Sequence, residues 1–247
     1  MLAELVEKVE ELMNGQVEPE IVEHEGVEYV KTSNGYKKLD KPSVYALEVN
    51  SLSGLVKMIR TSLVEMKGVS EIYTPLIVNI DVNDITVYSS MDGGKGRQRL
   101  INATPLTPSL SLDRNLSVEE LIILLSTSYI ETENTSKFIN SISNLRIVEE
   151  VEFSDDGIGQ TVTAKQGASI NKVYEVQPIV KLKPIRSYAE IEQVESRFLF
   201  RVNKGGSVCL READGGQWKY EAQSRIVEYL EEELSDLIEN NKVKVIG

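Results

Sequence analysis

The sequence predicts an α+β fold in which helices pack against a mainly antiparallel sheet. Segments with strand-like alternation come in pairs that short turn sequences join, which is typical of hairpins. Helical periodicities interrupt these pairs without a fixed alternation, and a long amphipathic helix closes the chain. A doubly wound parallel fold would instead alternate strand and helix regularly.

The first 41 residues are predicted to form a small helix-plus-hairpin appendage. Apolar residues at helical spacing predict a helix over residues 2–13. Strand-like segments then flank a turn at residues 24–26, and Asn34 with Gly35 marks a second turn. A helix this short is marginal alone, so it must dock on its own domain or on a partner chain, and both alternatives stay open.

Residues 42–247 are predicted to form the main domain. Its predicted strands cover residues 44–49, 76–82, 85–89, 97–104, 151–153, 160–165, 173–183, 198–202, 207–211 and 242–246. Its predicted helices cover residues 52–66, 118–130 and 218–240, with a further helix around residues 138–145.

The strongest local signal marks the start of the helix at residue 118. Ser117 and Glu120 have the spacing of a capping box, in which each side chain accepts a hydrogen bond from the other residue's backbone N–H. Leu116 and Leu121 have the spacing of the matching hydrophobic staple.

Charge and composition exclude several classes of function. The 39 acidic and 27 basic residues leave a net charge of −12, so duplex DNA is an unfavourable partner. A single cysteine, Cys209, and a single histidine, His24, exclude an intrachain disulfide and Cys- or His-rich metal sites. We therefore expect no metal and no cofactor. The start lacks a signal-peptide pattern and no apolar run approaches a membrane span, so we expect a cytoplasmic protein without membrane contact.

The stretch from Gly93 to Arg99 is the first candidate binding site. Glycines let backbone amides approach an anion, and Lys95, Arg97 and Arg99 supply charge. Arg97 and Arg99 are predicted to lie on one strand face and to act as a pair. The order of residues does not match a P-loop, and a mobile hairpin connection is the alternative.

The second candidate lies where a strand leads into the last helix. Asp214 is predicted to cap that helix, and Gly215 and Gly216 permit unusual backbone angles. A helix N-terminus attracts anions, and Trp218 or Tyr220 offers a surface for stacking. Plain structural capping is the alternative.

A third group precedes the strand at residue 198. Arg186 lies upstream of a polar cluster formed by Gln193, Glu195, Ser196 and Arg197, which either lines a pocket or satisfies its own hydrogen bonds. Over the whole chain, no nucleophile, base and orienting residue assemble, so no catalytic residue is assigned. The ligand-binding candidates are Lys95, Arg97, Arg99, Arg186, Arg197, Asp214, Gly215, Gly216 and Trp218.

Over residues 42–235, the order of several motifs resembles the YfdQ-like family of uncharacterised phage and prophage proteins. The motifs lie at residues 81–89, 97–103, 119–122, 160–167, 182–186, 193–201 and 212–219. The blocks at 193–201 and 213–219 are the most specific. The resemblance implies a phage-encoded protein made early, among genes for recombination and replication, in the cytoplasm of the infected host. It implies no catalytic residues.

We therefore expect a non-enzymatic accessory protein that binds a host-derived ligand, nucleotide-like in its sharpest form, or a host protein during host takeover or counter-defence. One alternative is a recombination or replication accessory protein that acts on single-stranded DNA or its protein partners. Another is a carboxylate-dependent enzyme of nucleotides or nucleic acids, because a sequence does not show which acids meet in space. We expect a homo-oligomer, and the acidic first helix is one candidate for self-association, with packing on its own domain as the alternative.

Overall fold

A computed structural model describes residues 20–24, 27–32, 35–39, 45–65, 75–91, 96–143, 150–155, 160–166, 170–203 and 206–247. These residues form helices and four sheets in which antiparallel pairs dominate, so the predicted α+β class is confirmed. The predicted helix over residues 2–13 lies outside the described residues. The division at residue 41 remains a prediction.

The largest sheet has five strands and carries the helices on one face. Its strands are β4 (Leu47–Val49), β5 (Leu76–Ile80), β6 (Ile85–Tyr88), β7 (Arg99–Ala103) and β15 (Val243–Ile246), in the order β15-β5-β6-β7-β4. The inner pairs are antiparallel and the two outer pairs are parallel. The predicted hairpin over β5 and β6 and the last edge strand are thereby confirmed. Helix α1 (Leu52–Glu65) packs on the buried face.

The second sheet has four strands, all antiparallel. Its strands are β8 (Asn115–Leu116), β12 (Ile179–Leu182), β13 (Ser196–Val202) and β14 (Val208–Glu212), in the order β12-β13-β14-β8. Helices α2 (Val118–Ser128) and α3 (Glu133–Ser143) cover one face. Phe138 of α3 meets Phe200 of β13 edge to face, with ring centroids 5.1 Å apart. Alternate residues of β13 and β14 therefore lie in a dry core.

Two smaller three-stranded sheets complete the described elements. One contains β1 (Ile21–His24), β2 (Val27–Thr32) and β3 (Gly35–Lys38), and confirms the predicted hairpins near the N-terminus. The other contains β9 (Glu150–Asp155), β10 (Gln160–Gln166) and β11 (Ile170–Val176). The single strand predicted over residues 173–183 is wrong. The structure divides it into β11 and β12 at Gln177 and Pro178, and proline has no N–H to continue a ladder.

The predicted helix over residues 218–240 is two helices, α4 (Gln217–Glu233) and α5 (Ser235–Glu239). The break falls at Leu234, which leaves helical geometry (φ −112°, ψ 13°) while its side chain stays fully buried. Lys242 then donates to the Leu237 carbonyl, and Leu76 donates to the Lys242 carbonyl. The turn at the end of α5, where Asn241 has a φ of 53°, thus leads the chain into β15, which pairs with β5. The apolar periodicity runs through the break, which is why the sequence pattern does not show it.

The segment between β12 and β13 connects the five-stranded sheet with the four-stranded sheet. Tyr188 and Ile191 from this segment belong to the core of the five-stranded sheet. The Tyr188 hydroxyl donates to the Ala103 carbonyl of β7 over 2.6 Å. The strands on either side of the segment belong to the four-stranded sheet, so residues 183–195 lie at the junction of the two cores.

The start of α2 confirms the predicted capping box. The Ser117 hydroxyl accepts a hydrogen bond from the Glu120 N–H over 3.1 Å, and the Glu120 carboxylate accepts from the Ser117 N–H over 2.7 Å. Leu116 and Leu121, the predicted staple, lie in the same core cluster.

We expect Ser117→Ala to lower the free energy of unfolding by about 1 kcal/mol, because two backbone N–H groups lose their acceptors or their alignment. Ser126→Ala, later in the same helix, is the control, because Ser126 only donates to the Ile122 carbonyl within the helix. Urea unfolding followed by circular dichroism measures both. Equal effects of the two substitutions would contradict the assignment.

Candidate functional site

A buried arginine lies at the centre of the junction between the five-stranded and the four-stranded sheets. Arg186 is 8% exposed. Its guanidinium donates to the Glu212 carboxylate and to the Ser196 hydroxyl. It also lies over the ring of Trp218, with Cζ 3.8 Å from the ring centroid. We call Arg186 with Ser196, Glu212, Asp214 and Trp218 the Arg186 cluster.

The backbone around Arg186 is held by one buried amide side chain. The Gln193 side-chain oxygen accepts from the N–H groups of Arg186 and Ser187, over 3.0 and 3.1 Å. Its side-chain nitrogen donates to the Tyr188 carbonyl over 2.9 Å. An amide offers both an acceptor and donors, as this loop requires. Gln193 therefore orients Arg186 and serves the loop rather than a ligand.

Asp214 approaches the cluster from the turn that precedes α4. Its carboxylate accepts from the Gly216 N–H over 3.0 Å and lies 3.9 Å from an Arg186 guanidinium nitrogen. Gly215 and Gly216 have φ angles of 66° and 78°, in the left-handed region that favours glycine. The predicted unusual angles are confirmed. Gly216 occupies the N-cap position, and the Asp214 carboxylate accepts from backbone N–H groups at the helix start, those of Gly216 and Trp218, so Asp214 caps the helix from two residues before the N-cap.

The electrostatics of the cluster keep these charges in place. Burial alone would raise the pKa of Asp214, but hydrogen bonds from Ser196 and from the Gly216 backbone, together with the positive charge of Arg186, lower that pKa overall. Burial lowers the pKa of Arg186, while Glu212 and Asp214 oppose this shift. An arginine nevertheless stays protonated in proteins. The cluster is thus a buried cation between two carboxylates.

A pocket of about 200 Å³ opens beside the cluster, at the end of β12 and β13. Trp218 and Asp214 line it, together with Lys181 of β12 and Arg197 of β13. Its other acids are Glu195 and Glu221, and Glu221 is already paired with Arg225. Within the described part of the chain, Lys181 and Arg197 form no ion pair. The pocket therefore places two cations that have no ion-pair partner among the described residues, Lys181 and Arg197, next to the indole of Trp218.

Three buried polar groups without a hydrogen-bond partner lie around the Arg186 cluster. The Trp218 indole nitrogen, the Arg186 Nε and the Tyr129 hydroxyl are buried without a hydrogen-bond partner in the described part of the molecule. Burial raises the pKa of Tyr129, so its hydroxyl is neutral. Buried donors of this kind are rare in native proteins, and they mark the cluster as a region where polar partners are missing.

The structure separates the first candidate site from the second and third. Arg97 lies before β7 and donates to the Ser89 carbonyl over 3.0 Å, so the prediction that it shares a strand face with Arg99 is wrong. The physical reason is a register shift at Tyr88, where the ladder with β7 ends. Lys95 lies outside the described residues.

Arg99 also lies far from the predicted stacking ring. It pairs with Tyr88 at one end of β6, whereas Val82, in the turn before the other end, packs against Trp218. The length of β6, about 10 Å, separates the two ends. Lys95, Arg97 and Arg99 therefore do not form one site with Trp218. Tyr220, the other predicted stacking residue, is 75% exposed and lines a different groove.

The second and third candidates do come together. Arg186, Arg197, Asp214, Gly216 and Trp218 meet at the cluster and its pocket. Sequence reasoning missed Lys181 and the role of Glu212. Lys181 lies directly opposite Arg197 in the β12–β13 ladder, and only the strand register shows this.

Comparisons with known proteins give no relative. A scan against family models, a search of curated proteins and a search of solved structures each returned no match to this chain. Among the described residues, no group of three or more His, Cys, Asp or Glu side chains is placed to hold a metal ion. No helix in this part has the length and apolar character that a membrane crossing requires.

We expect Arg186→Met to lower the free energy of unfolding by about 3 kcal/mol, because it leaves two carboxylates without their buried counter-charge. Urea unfolding followed by the fluorescence of Trp218, the single tryptophan, measures this. Arg60→Met is the control, because Arg60 forms its ion pair with Asp236 at the surface. A cost no larger than that of the control would show that the cluster is not structurally important.

The lowered pKa of Asp214 predicts an acid-sensitive contribution to stability. Since the folded pKa lies below the unfolded one, the contribution is fully present above the unfolded pKa and is lost as the pH falls through the folded value. The stability difference between the native chain and Asp214→Asn should therefore shrink below about pH 4. Urea unfolding across pH measures this, with Asp113→Asn, an exposed carboxylate, as control. A difference that does not change with pH would contradict it.

Proposed function

We propose that this protein is a non-enzymatic binding protein that holds a small nucleotide-like ligand in the pocket beside Trp218. The observation that carries the proposal is the meeting of two uncommitted cations, Lys181 and Arg197, with an indole that the Arg186 guanidinium holds in place. Cations bind phosphate oxygens, and the Trp218 ring, 8% exposed with Arg186 over one face, contributes to the pocket wall that a base would contact. The chain offers both in one pocket.

The size and polarity of the pocket suit part of a nucleotide. A pocket of about 200 Å³ is smaller than most drug-sized ligand sites, so part of the ligand stays in solvent. Asp214, Gln217 and Glu195 line it and offer acceptors for the amino and hydroxyl groups of a base or a ribose. The Arg186 cluster holds the wall of the pocket in place before a ligand binds. This preorganisation lowers the entropy cost of binding.

Binding is favoured over catalysis because the acids of the pocket are already engaged. Asp214 accepts hydrogen bonds from its own turn and faces Arg186, and Glu221 pairs with Arg225. A carboxylate held in this way is a weak general base, since its lowered pKa disfavours taking up a proton.

The setting that we propose is the one that the resemblance to the YfdQ-like family implies. The protein would be made early by a phage in the cytoplasm of the infected bacterium, as a homo-oligomer. There it would withdraw a host nucleotide during host takeover or counter-defence. The resemblance supports this setting, and the pocket supports the class of ligand.

The test is a titration of the full chain with nucleoside monophosphates, followed by Trp218 fluorescence and by calorimetry. We expect saturable binding, and we expect Lys181→Gln with Arg197→Gln to weaken it about a hundredfold, because each contact to a charged phosphate contributes about tenfold. Arg97→Gln with Arg99→Gln removes the same charge at the five-stranded sheet and should leave the affinity unchanged.

Two results would overturn the proposal. Unchanged affinity in the Lys181 and Arg197 variant would mean that the pocket cations do not contact the ligand. Loss of affinity in the Arg97 and Arg99 control alone would place the site at the other sheet.

A further inference from the structure

The two faces of the four-stranded sheet differ sharply in character. Residues directly opposite each other in an antiparallel pair lie on the same face. The ladders pair Lys181 with Arg197, Leu199 with Arg211, and Arg201 with Cys209. One face therefore carries Lys181, Arg197, Arg201 and Arg211, with Ile179 and Leu199 between them. We call it the basic sheet face.

The basic sheet face is more exposed than the opposite face, although Cys209 is buried and Arg201 is half-buried on it. Phe198, Phe200 and Leu210 point into the core beneath α2 and α3. On the basic sheet face, the side chains of Lys181, Arg197 and Arg211 are exposed. Ile179, on the edge strand β12, is 42% exposed on this face. The start of α4 borders this face at the pocket, beside Lys181 and Arg197.

The charges on this face repel one another. Lys181 and Arg197 are directly opposite, where Cβ atoms lie about 5 Å apart and like charges destabilise the pair. Arg197, Arg211 and Arg201 follow as diagonal neighbours, with about 7–8 Å between successive positions. The four cations thus form a continuous row along β13.

Acidic side chains meet this row at both ends, and Glu195, Asp214 and Glu221 line the pocket with Lys181 and Arg197. Arg211 has an ion pair with Asp113 at 3.7 Å, but both side chains are exposed, so the pair contributes little. One guanidinium nitrogen of Arg201 is buried without a hydrogen-bond partner among the described residues. In a chain of net charge −12, this arrangement has an electrostatic cost that a bound polyanion would remove.

We propose that the basic sheet face binds single-stranded nucleic acid, with its phosphates on the row of four cations and its bases on the aliphatic and guanidinium surfaces between them. Arginine planes stack on bases, and Ile179, which is exposed, and Leu199, which is half-buried, offer apolar contacts to unpaired bases. A duplex hides its bases and carries a denser charge, which the acidic remainder of the chain repels. Charge and apolar contact together therefore favour a single strand.

This inference does not depend on the proposed function, although the two sites share residues. Lys181 and Arg197 line the pocket and begin the row, whereas Arg201 and Arg211 do not line the pocket. Arg211 is therefore the residue that separates the two. Arg211→Gln should weaken binding of a single strand and leave binding of a nucleoside monophosphate unchanged.

The test uses the full chain and fluorescence anisotropy with a labelled oligothymidylate over a series of salt concentrations. If all four cations contact phosphates, the logarithm of the binding constant should fall against the logarithm of salt with a slope of about −2.8. Arg211→Gln should reduce the slope by about 0.7, and Arg197→Gln with Arg211→Gln by about 1.4. Arg97→Gln with Arg99→Gln has the same net charge as the double variant and should keep the native slope.

A charge-retaining variant, a second oligonucleotide and a check of the fold complete the experiment. Arg211→Lys retains the charge and should restore the native slope, which excludes an effect of the fold. An oligouridylate should bind through the same residues if phosphates and bases alone are recognised, and a preference for one sugar identifies the natural strand. Circular dichroism checks the fold of every variant.

Several results would overturn the inference. These are a slope that the Arg197 and Arg211 variant does not change, an equal loss in the Arg97 and Arg99 control, and a duplex that binds as tightly as the single strand. Binding to anionic lipid vesicles without binding to the oligothymidylate would also overturn it. A failure of the monophosphate titration, with Arg211-dependent strand binding intact, would reject only the proposed function.

Discussion

The burial of the Arg186 guanidinium is the constraint on which the site depends. A buried cation requires paired carboxylates and hydrogen-bond acceptors, and Glu212, Asp214 and Ser196 supply them from two parts of the chain. Stacking on Trp218 adds a cation–π contact that brings the first turn of α4 against the sheet. The same contacts place Trp218 and Asp214 at the wall of the pocket. Structural stability and the shape of the pocket therefore have one cause.

The distribution of charge links the pocket to the open face of the four-stranded sheet. The chain is strongly acidic, yet one face of this sheet collects four cations, and two of them also line the pocket. A nucleotide in the pocket and a strand along the sheet would use the same phosphate chemistry. The acidic remainder of the surface repels the phosphates of a duplex and so limits non-specific contact. The protein would thus attract phosphates at the basic sheet face and repel them elsewhere.

Sequence reasoning predicted what depends on local pattern. The α+β class, the hairpin of β5 and β6, and the capping box at Ser117 follow from short-range periodicity and spacing. The break at Leu234 was missed because the apolar periodicity continues through it. In the site, segments around Arg186, Arg197 and Trp218 were identified, but not that they meet. The row of cations depends on strand register, which pairs residues far apart in sequence and is set only when the sheet forms.

The most direct test of the central claim is the nuclear magnetic resonance signal of the tryptophan indole N–H. The chain has one tryptophan, so a nitrogen-15 correlation spectrum contains a single indole signal, from Trp218. If the pocket beside Trp218 is the ligand site, adding a nucleoside monophosphate should shift this signal progressively to saturation. A titration in which backbone signals move to saturation while the indole signal stays in place would contradict the account.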